Sequence, residues 1–236
     1  MYSDLRLLRF LRKSKERDVA TATERYRSFL QWREENDVDD IRAMVERGGA
    51  ASFMPPNRLQ TVSEYFPMNF DYVVSNTNTV SDEGMTSKDV RPAILYVGSF
   101  DTVGISERIK TAESSVSLDD YLNYWIYLYE SIHFHLYQQS MHFGTMMFLD
   151  EVCDLSGLSI QQFSPYFVTK VMKPWLTMTQ QFYPETTHRI YILNPPSIVK
   201  LAWNLVTPLL SQGTVDKIRF EKKFTGTPDD FCKNIE

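Results

Sequence analysis

The stretch FYPETTHRIYILNPPSIVKLAWNLVTPLLSQGTVDK, residues 182–217, carries most of the functional information in the sequence. It begins with a polar cluster, continues through a short apolar strand and a double proline, and ends with a strongly apolar helix and a polar turn. The predicted helix, residues 197–210, is more apolar than a helix on a water-facing surface needs to be. Glu185 and Lys217 stand on either side of this apolar segment. The pairing of charge with apolar surface predicts a site for an amphiphile.

Two interpretations of the helix 197–210 follow from its composition. Its charged or polar interruptions are Lys200, Asn204 and Thr207. A buried crossover helix of an α/β fold accounts for this pattern. A movable lid also accounts for it, because one face would contact a lipid cavity and the other would meet a bilayer when the lid opens. The residues of the helix alone leave both interpretations open.

Composition limits the class of protein. A chain of 236 residues can form one large α/β domain or two small ones, each with a core. The net charge is −5 and the 25 basic residues are scattered, which excludes nucleic acid as a partner. No run of about 20 apolar residues occurs, and the opening MYSDLRLLRF carries charges where a signal peptide has its apolar core. We therefore expect a cytoplasmic protein without a membrane span.

Motifs for catalysis are absent from the sequence. It has neither of the common Gly-rich phosphate loops and no GxSxG elbow, so the usual sequence motifs of phosphoryl-transfer enzymes and hydrolases are absent. His133 and His135 lie two residues apart on a predicted helix and do not share a face, which argues against a metal site. Cys153 and Cys232 have neither metal-ligand spacing nor a disulfide framework. We therefore expect a protein that is not an enzyme and has no metal ion or cofactor.

The first 36 residues predict two helices. Apolar residues recur at helical spacing in both, and Asp18 is placed to cap the second. Residues 12–17, RKSKER, form a basic turn between them. The region 36–89 is predicted to be irregular because it contains Gly and Pro pairs and a polar run. Within it, residues 75–89 are predicted to form a mobile loop.

An alternation of strands and helices follows. Ser117 and Asp120 predict a capping box at the start of the helix 118–139, and Pro174 is expected to kink the helix 165–182. Strands separated by helices of this length imply right-handed crossovers and a mainly parallel sheet. The predicted strands are residues 92–98, 146–153, 189–194 and 217–221.

Two adjacent acids interrupt the second of these strands. Asp150 and Glu151 are consecutive, so their side chains are expected to point to opposite faces of the sheet. This placement argues against a joint acid and base role. One of the two is expected to face solvent or a cavity.

Four blocks of sequence carry a family resemblance. They are LLRFLR at 7–12, YLNYWIYLYES at 121–131, DLSGLSI at 154–160 and FYPETTHRIYILNPP at 182–196. In this order the chain resembles the CRAL-TRIO domain, the lipid-binding fold of phosphatidylinositol/phosphatidylcholine transfer proteins and of tocopherol and retinaldehyde carriers. The resemblance covers most of the chain apart from residues 36–89.

The resemblance implies an α/β fold in which a mainly parallel sheet forms the floor of an apolar lipid pocket. Residues 1–36 would be an N-terminal helical annex, residues 37–236 the lipid-binding domain, and residues 197–210 the gate helix. The family pattern continues beyond Glu236, so we expect either one domain of a longer protein or a diverged form. The side chains expected to line the gate and pocket are Ile198, Leu201, Ala202, Leu205, Val206 and Leu209.

The resemblance also implies which residues hold a lipid headgroup. In phosphoinositide-binding members, the acid of the YPE run, the Thr of the turn after the gate and the Lys that follows hold the inositol phosphate. These positions are Glu185, Thr214 and Lys217 in this sequence. A carboxylate accepts hydrogen bonds from ring hydroxyls, while hydroxyl and ammonium groups donate to phosphate. The phosphate contact made by an Arg of the family's basic turn falls to Ser14 or Lys15, and we assign it to Lys15. The structural alternative is a salt bridge between Glu185 and Lys217.

Some positions depart from the family pattern. Thr186 stands where the family often has Arg, and Ser211 and Gln212 replace an acidic residue and Pro. Leu149 and Glu151 replace hydroxyl residues that assist phosphatidylcholine. A buried carboxylate at that position would repel a phosphate. The resemblance therefore favours phosphatidylinositol over phosphatidylcholine.

The expected function is binding of one phospholipid, or another hydrophobic ligand, in a gated pocket. The ligand is a bound lipid rather than a cofactor, and the protein is expected to visit membrane surfaces transiently as it transfers or presents that lipid. The alternative is a regulatory lipid-sensing or protein-interaction domain of a larger protein with a degenerate pocket. A protein partner would then bind the region 36–89 or the basic turn.

Overall fold

A five-stranded sheet forms the centre of the computed structural model, which describes residues 4–14, 18–48, 57–65, 68–69, 93–97, 101–111, 116–156, 159–221 and 230–231. The strands lie side by side in chain order. The first pairs antiparallel with the second, and the other three pairings are parallel, which confirms the predicted sheet. The strands are β1 Met68–Asn69, β2 Ala93–Val97, β3 Leu149–Asp154, β4 Thr187–Leu193 and β5 Ile218–Glu221.

Helices precede the sheet and connect its strands. Where a helix was predicted, its bounds differ by up to a few residues, as helix termini commonly do. The helices at 38–48, 57–63, 102–110 and 212–215 were not predicted. Short 3₁₀ segments cover Ile160–Phe163 and Thr207–Leu209, and a π-helix covers Phe167–Met172. The α-helices are α1 Asp4–Lys13, α2 Val19–Glu35, α3 Val38–Gly48, α4 Asn57–Ser63, α5 Thr102–Lys110, α6 Leu118–Phe143, α7 Lys173–Phe182, α8 Val199–Val206 and α9 Gln212–Val215.

Two predicted helix starts are confirmed in atomic detail. The Asp18 carboxylate accepts hydrogen bonds from the backbone N–H groups of Ala20 and Thr21, at 3.2 and 2.9 Å, and so caps α2. Ser117 and Asp120 form the predicted capping box at the start of α6. Both caps satisfy N–H groups that have no partner within the helix.

The prediction of an irregular region at 36–89 is wrong in its first part. Helices α3 and α4 lie there. Val38, Ile41 and Val45 recur at i, i+3 and i+7 and are buried, so α3 gains its stability by packing this stripe against α6. The predicted loop 75–89 lies outside the described residues. The division at residue 36 stays a prediction.

Pro174 lies where the helical run 165–182 changes type, and the predicted kink stays a prediction. The chain forms the π-helix Phe167–Met172, and α7 then begins at Lys173 with Pro174 in its first turn. The first turn of an α-helix leaves its N–H groups without partners inside that helix, so a residue without an N–H fits there. The change of helix type therefore accommodates the proline.

Helix α6 is the central support of the fold. It is buried along most of its length and packs against α3, α4 and α7. Tyr121 and Ile132 are at most 1% exposed, and the Trp125 ring stacks on Trp175 of α7 at a centroid distance of 4.4 Å. Each large apolar side chain buried in this way contributes about 1.5–3 kcal/mol. Of the helices in the part of the chain that the structure describes, none is long and apolar enough to cross a membrane.

Candidate functional site

A cavity of about 220 Å³ lies between α6, α7, the strands β3 and β4, and α9. We call it the sheet cavity. It brings together three residues that are predicted to hold a headgroup. They come from three separate segments, since Glu185 lies in the turn before β4, Thr214 lies in α9, and Lys217 directly precedes β5. Other polar side chains in its wall include Lys13, Glu151, Thr179, Gln180, Tyr183 and Thr187.

The ion pair between Glu185 and Lys217 is loose. Lys217 Nζ lies 3.7 Å from Glu185 Oε2 and donates to the backbone carbonyl oxygen of Thr187 at 2.7 Å. The two side chains are 22% and 29% exposed, and such a pair contributes at most about 1 kcal/mol. The structure thus contains the predicted salt bridge in a form that a ligand can replace at little cost.

The backbone of Glu185 is in the left-handed region, with a φ of 53°. Arg9 of α1 holds it there, because Arg9 Nη1 donates to the Glu185 carbonyl oxygen and Arg9 Nη2 donates to the Met147 carbonyl oxygen at 2.5 Å. Arg9 is a site residue that the sequence patterns do not indicate. Its partners lie 176 and 138 residues further along the chain, so no local pattern indicates the contact.

Thr186 closes the turn rather than facing a ligand. Its hydroxyl donates to the Tyr183 carbonyl oxygen at 2.9 Å and lies 2.8 Å from Nε2 of His133. The side chain is 2% exposed. Thr186 therefore adds no charge to the sheet cavity at the position where the family resemblance implies an Arg. The nearby Tyr183 hydroxyl donates to Glu130 at 3.0 Å.

The two acids of β3 have separate environments. Asp150 is 2% exposed and accepts a hydrogen bond from the Arg189 backbone N–H at 3.0 Å. Glu151 faces the sheet cavity, where its carboxylate accepts a hydrogen bond from the Thr187 hydroxyl at 2.5 Å. Burial raises the pKa of the Glu151 carboxyl, although the Thr187 hydrogen bond and the charge of Lys217 act in the opposite direction. Glu151 is therefore the acid that faces a cavity.

Cys153 lies two residues after Glu151 on β3, so both side chains are on the same face of the sheet, and Cys153 lines the same cavity. Its thiol is free. Burial, followed by the charge of Glu151, raises the pKa of this thiol. The thiol is therefore held in its protonated and poorly reactive form.

The predicted gate helix is shorter than expected and exposes part of its apolar surface. Leu201 and Leu205 are 59% and 47% exposed, whereas Ala202 is buried. Of the described residues that line the sheet cavity, Leu210 is the contribution of segment 197–210. The remaining predicted gate residues, Ile198, Val206 and Leu209, are half-buried. The gating role of all six predicted residues stays a prediction.

Gln180 of α7 anchors the segment that follows α8. Its side-chain amide donates to the Leu209 carbonyl oxygen at 2.9 Å, and its side-chain oxygen accepts from the Ser211 N–H at 2.6 Å. The Ser211 hydroxyl in turn lies 2.9 Å from that of Thr214. These contacts fix Thr214 beside the sheet cavity. Lys15, the remaining predicted headgroup residue, lies outside the described residues.

Several known proteins are similar to this chain. It is 28% identical over 217 residues to the SEC14 cytosolic factor of Candida glabrata, a match that covers 91% of the chain and 62% of that protein. It is 27% identical to Protein real-time of Aedes aegypti and 24% identical to phosphatidylinositol/phosphatidylcholine transfer protein SFH13 of Arabidopsis thaliana, covering 98% and 90% of the chain. The chain spans 30% of the length of each of these last two proteins.

The fold and a family model agree with these similarities. The crystal structure of Sfh5 superposes with a TM-score of 0.60 at 16% identity, covering 92% of this chain and 66% of that one. This likeness confirms the predicted α/β fold. The model of the CRAL/TRIO domain matches residues 97–235, which is more than half of the chain. The chain therefore belongs to the CRAL/TRIO domain family.

Proposed function

We propose that this chain binds one phospholipid, holds its headgroup in the sheet cavity, and transfers or presents it at membrane surfaces. The observation that carries the proposal is the convergence of Glu185, Thr214 and Lys217 on one cavity from three separate segments. The name of one similar protein, the phosphatidylinositol/phosphatidylcholine transfer protein SFH13, supports a lipid ligand. We propose no catalytic role.

The polar groups of the sheet cavity suit phosphatidylinositol. The Glu185 carboxylate can accept hydrogen bonds from inositol hydroxyls, and the Lys217 ammonium and Thr214 hydroxyl can donate to the phosphate. The ammonium group of Lys13 also lines the cavity. Glu151 adds a second carboxylate beside Lys217, which repels a phosphate placed close to it but accepts hydroxyl donors. A polyol headgroup therefore fits better than a phosphate alone.

The acyl chains require more room than the sheet cavity offers. Its volume of about 220 Å³ is below the roughly 300–1,000 Å³ typical of pockets for drug-sized ligands. We propose that α8 moves outward on loading, with Leu201 and Leu205 in contact with the bilayer. Burial of acyl chains contributes about 0.8 kcal/mol per methylene, but a bilayer supplies nearly the same, so headgroup contacts decide the selectivity.

The test is lipid loading. The purified protein is incubated with vesicles of phosphatidylinositol and phosphatidylcholine, recovered, and its lipid is identified by mass spectrometry. We expect phosphatidylinositol to be loaded, and Lys217→Ala and Glu185→Ala each to reduce its loading at least tenfold. Lys170→Ala, which removes an exposed charge on the π-helix, outside both α8 and the sheet cavity, is the matched control and should load normally.

Two outcomes would count against this function. Protein that stays empty after incubation contradicts lipid binding, and equal loading by all three variants contradicts the headgroup assignment. If the protein stays empty but captures a protein partner through the region 36–89, the domain is a regulatory interaction module instead.

A further inference from the structure

A second and larger cavity, of about 620 Å³, lies between α1, α3 and α6. We call it the helix cavity. His133 lines it, and burial together with the charges of surrounding arginines lowers the pKa of His133 well below its usual value, so the ring adds no charge. Other lining residues are Arg6, Arg9, Arg42, Glu130, Phe134 and Tyr137.

Glu130 is the most buried carboxylate of the helix cavity, with no exposed surface. Three guanidinium groups surround it, with nitrogen to oxygen distances of 3.3 Å from Arg6, 2.7 Å from Arg33 and 3.6 Å from Arg42. The Tyr183 hydroxyl donates to it as well. Arg6 donates two hydrogen bonds to the carboxylate, and Arg33 and Tyr183 donate one each, which uses its roughly four lone-pair sites. Arg42 donates to the Glu130 backbone carbonyl oxygen and interacts with the carboxylate by charge.

The remaining acids at this cavity already have partners. Asp39 pairs with Arg33 at 2.5 Å and Glu46 pairs with Arg42 at 2.8 Å. Arg6, Arg33 and Arg42 thus each have a carboxylate partner in this cluster.

Arg9 differs from these three arginines. It is 4% exposed, and among the described residues no carboxylate lies within ion-pairing distance of it. Two of its five N–H donors bind the backbone carbonyl oxygens of Glu185 and Met147, which are neutral, and its guanidinium carbon lies 5.4 Å from the centre of the Phe148 ring. Burial and then the charge of Arg6 lower the pKa of Arg9 to about 10, while the charge of Glu185 acts in the opposite direction. Buried charges in proteins are normally paired, so a buried guanidinium group without a close carboxylate at the wall of a cavity indicates a site for an anion.

We propose that the helix cavity binds a small organic monoanion, whose carboxylate contacts Arg9 and whose apolar body packs on Phe134 and Tyr137. A single negative charge matches the one guanidinium group that lacks a close carboxylate among the described residues of this cavity, which favours a carboxylate over a doubly charged phosphate monoester. A guanidinium group presents its donors in the geometry that a carboxylate accepts. The volume of the cavity is in the range of sites for small molecules.

This site is separate from the sheet cavity, although α6 contributes to both walls. Tyr129 lines the sheet cavity and Glu130 lines the helix cavity. The inference does not depend on the identity of the lipid or on lipid binding at all. Arg9 nevertheless joins the two sites, because it also holds the Glu185 carbonyl oxygen.

The test uses benzoate and its uncharged analogue benzamide as probes. Calorimetric titration should show benzoate binding at least tenfold more tightly than benzamide. Ala43→Phe, which fills the helix cavity from α3 without changing its charge, should weaken benzoate at least tenfold. Nuclear Overhauser contacts should appear between the benzoate ring protons and the rings of Phe134 and Tyr137.

The control variant is Lys217→Gln, which removes one of the two lysines that line the sheet cavity and should leave benzoate affinity within twofold. Loss of benzoate binding in this variant would place the anion in the sheet cavity and overturn the proposal. Equal affinities for benzoate and benzamide would overturn it too. If Ala43→Phe does not fold, the ring contacts decide: their presence supports the proposal and their absence refutes it.

Discussion

The sheet cavity and the helix cavity share α6 as a wall but organise their charges in opposite ways. In the sheet cavity, Glu185 and Lys217 are partly exposed and 3.7 Å apart. In the helix cavity, Glu130 is fully buried and lies 2.7 Å from Arg33. The loose pair leaves donors and acceptors available to a ligand. The tight cluster uses its donors and acceptors to join α1, α2, α3 and α6.

This difference has an energetic counterpart. A partly exposed ion pair contributes about 0–1 kcal/mol because water competes for both partners. Removing one member of a buried cluster costs far more, since the remaining charges stay buried without compensation. Removal of a charge from the ion pair of the sheet cavity should therefore affect ligand binding, whereas removal of a charge from the Glu130 cluster of the helix cavity should affect folding.

The largest effect is expected from Glu130→Gln. The substitution keeps the shape of the side chain but leaves the charges of Arg6, Arg33 and Arg42 without their shared carboxylate. We expect the free energy of unfolding to fall by about 3–5 kcal/mol. Glu185→Gln, the matched change in the sheet cavity, should lower it by less than about 1 kcal/mol. Denaturant titration of both variants measures this contrast, and equal losses would show that the two cavities do not differ in this way.

The next effect concerns acid unfolding. Burial alone would raise the pKa of Glu130, but the charges of Arg6, Arg33 and Arg42 outweigh it and lower the pKa from 4.5 to about 2. A pKa that is lower in the folded state stabilises the fold above the unfolded-state value and loses that contribution as the pH falls. About 3 kcal/mol should therefore be lost between pH 4.5 and 2, by the usual conversion of pKa to free energy.

Comparison of the parent protein with Glu130→Gln over this pH range isolates the contribution of Glu130. The difference in unfolding free energy between the two proteins should shrink as the pH falls. A difference that stays constant would mean that Glu130 does not titrate as the cluster predicts.

The smallest effect is expected from Glu151→Gln, which should raise the free energy of unfolding, whereas Glu130→Gln lowers it. Because burial raises the pKa of Glu151, its ionised form destabilises the folded state as the pH rises through that pKa. The amide keeps an acceptor for the Thr187 hydroxyl, so we expect a gain of about 1 kcal/mol at pH 7 and little gain at pH 4. Exposed Glu221→Gln is the control and should change stability at neither pH. A loss of stability at pH 7 would indicate that the Glu151 carboxylate is needed by Lys217.

Local signals made parts of this fold predictable. Asp18, Ser117 and Asp120 cap helices with atoms only two or three residues away, so their roles follow from sequence. Lys217 and Thr187 meet because parallel β4 and β5 are neighbours, with the Ile190 N–H donating to the Lys217 carbonyl oxygen at 3.1 Å. The family resemblance added Glu185 and Thr214.

Other parts depend on contacts that no sequence pattern carries. Helix α3 has only about three turns, and the Gly and Pro pairs at and beyond its end favoured the prediction of an irregular region. Arg9 acts on carbonyl oxygens more than 130 residues away. Leu201 and Leu205 are exposed on α8, and composition cannot distinguish a gate from a crossover helix, so their gating role stays a prediction.

The reactivity of Cys153 can report how the sheet cavity opens over time. Its thiol is free and half-buried, and burial raises its pKa, so alkylation is slow and should speed up when the cavity opens to water and reagent. The rate of modification at Cys153 therefore measures how often the cavity opens. A bound lipid would cover the thiol and slow this reaction, whereas an open gate would speed it. The residue can thus report the kinetics of loading without any added label on α8.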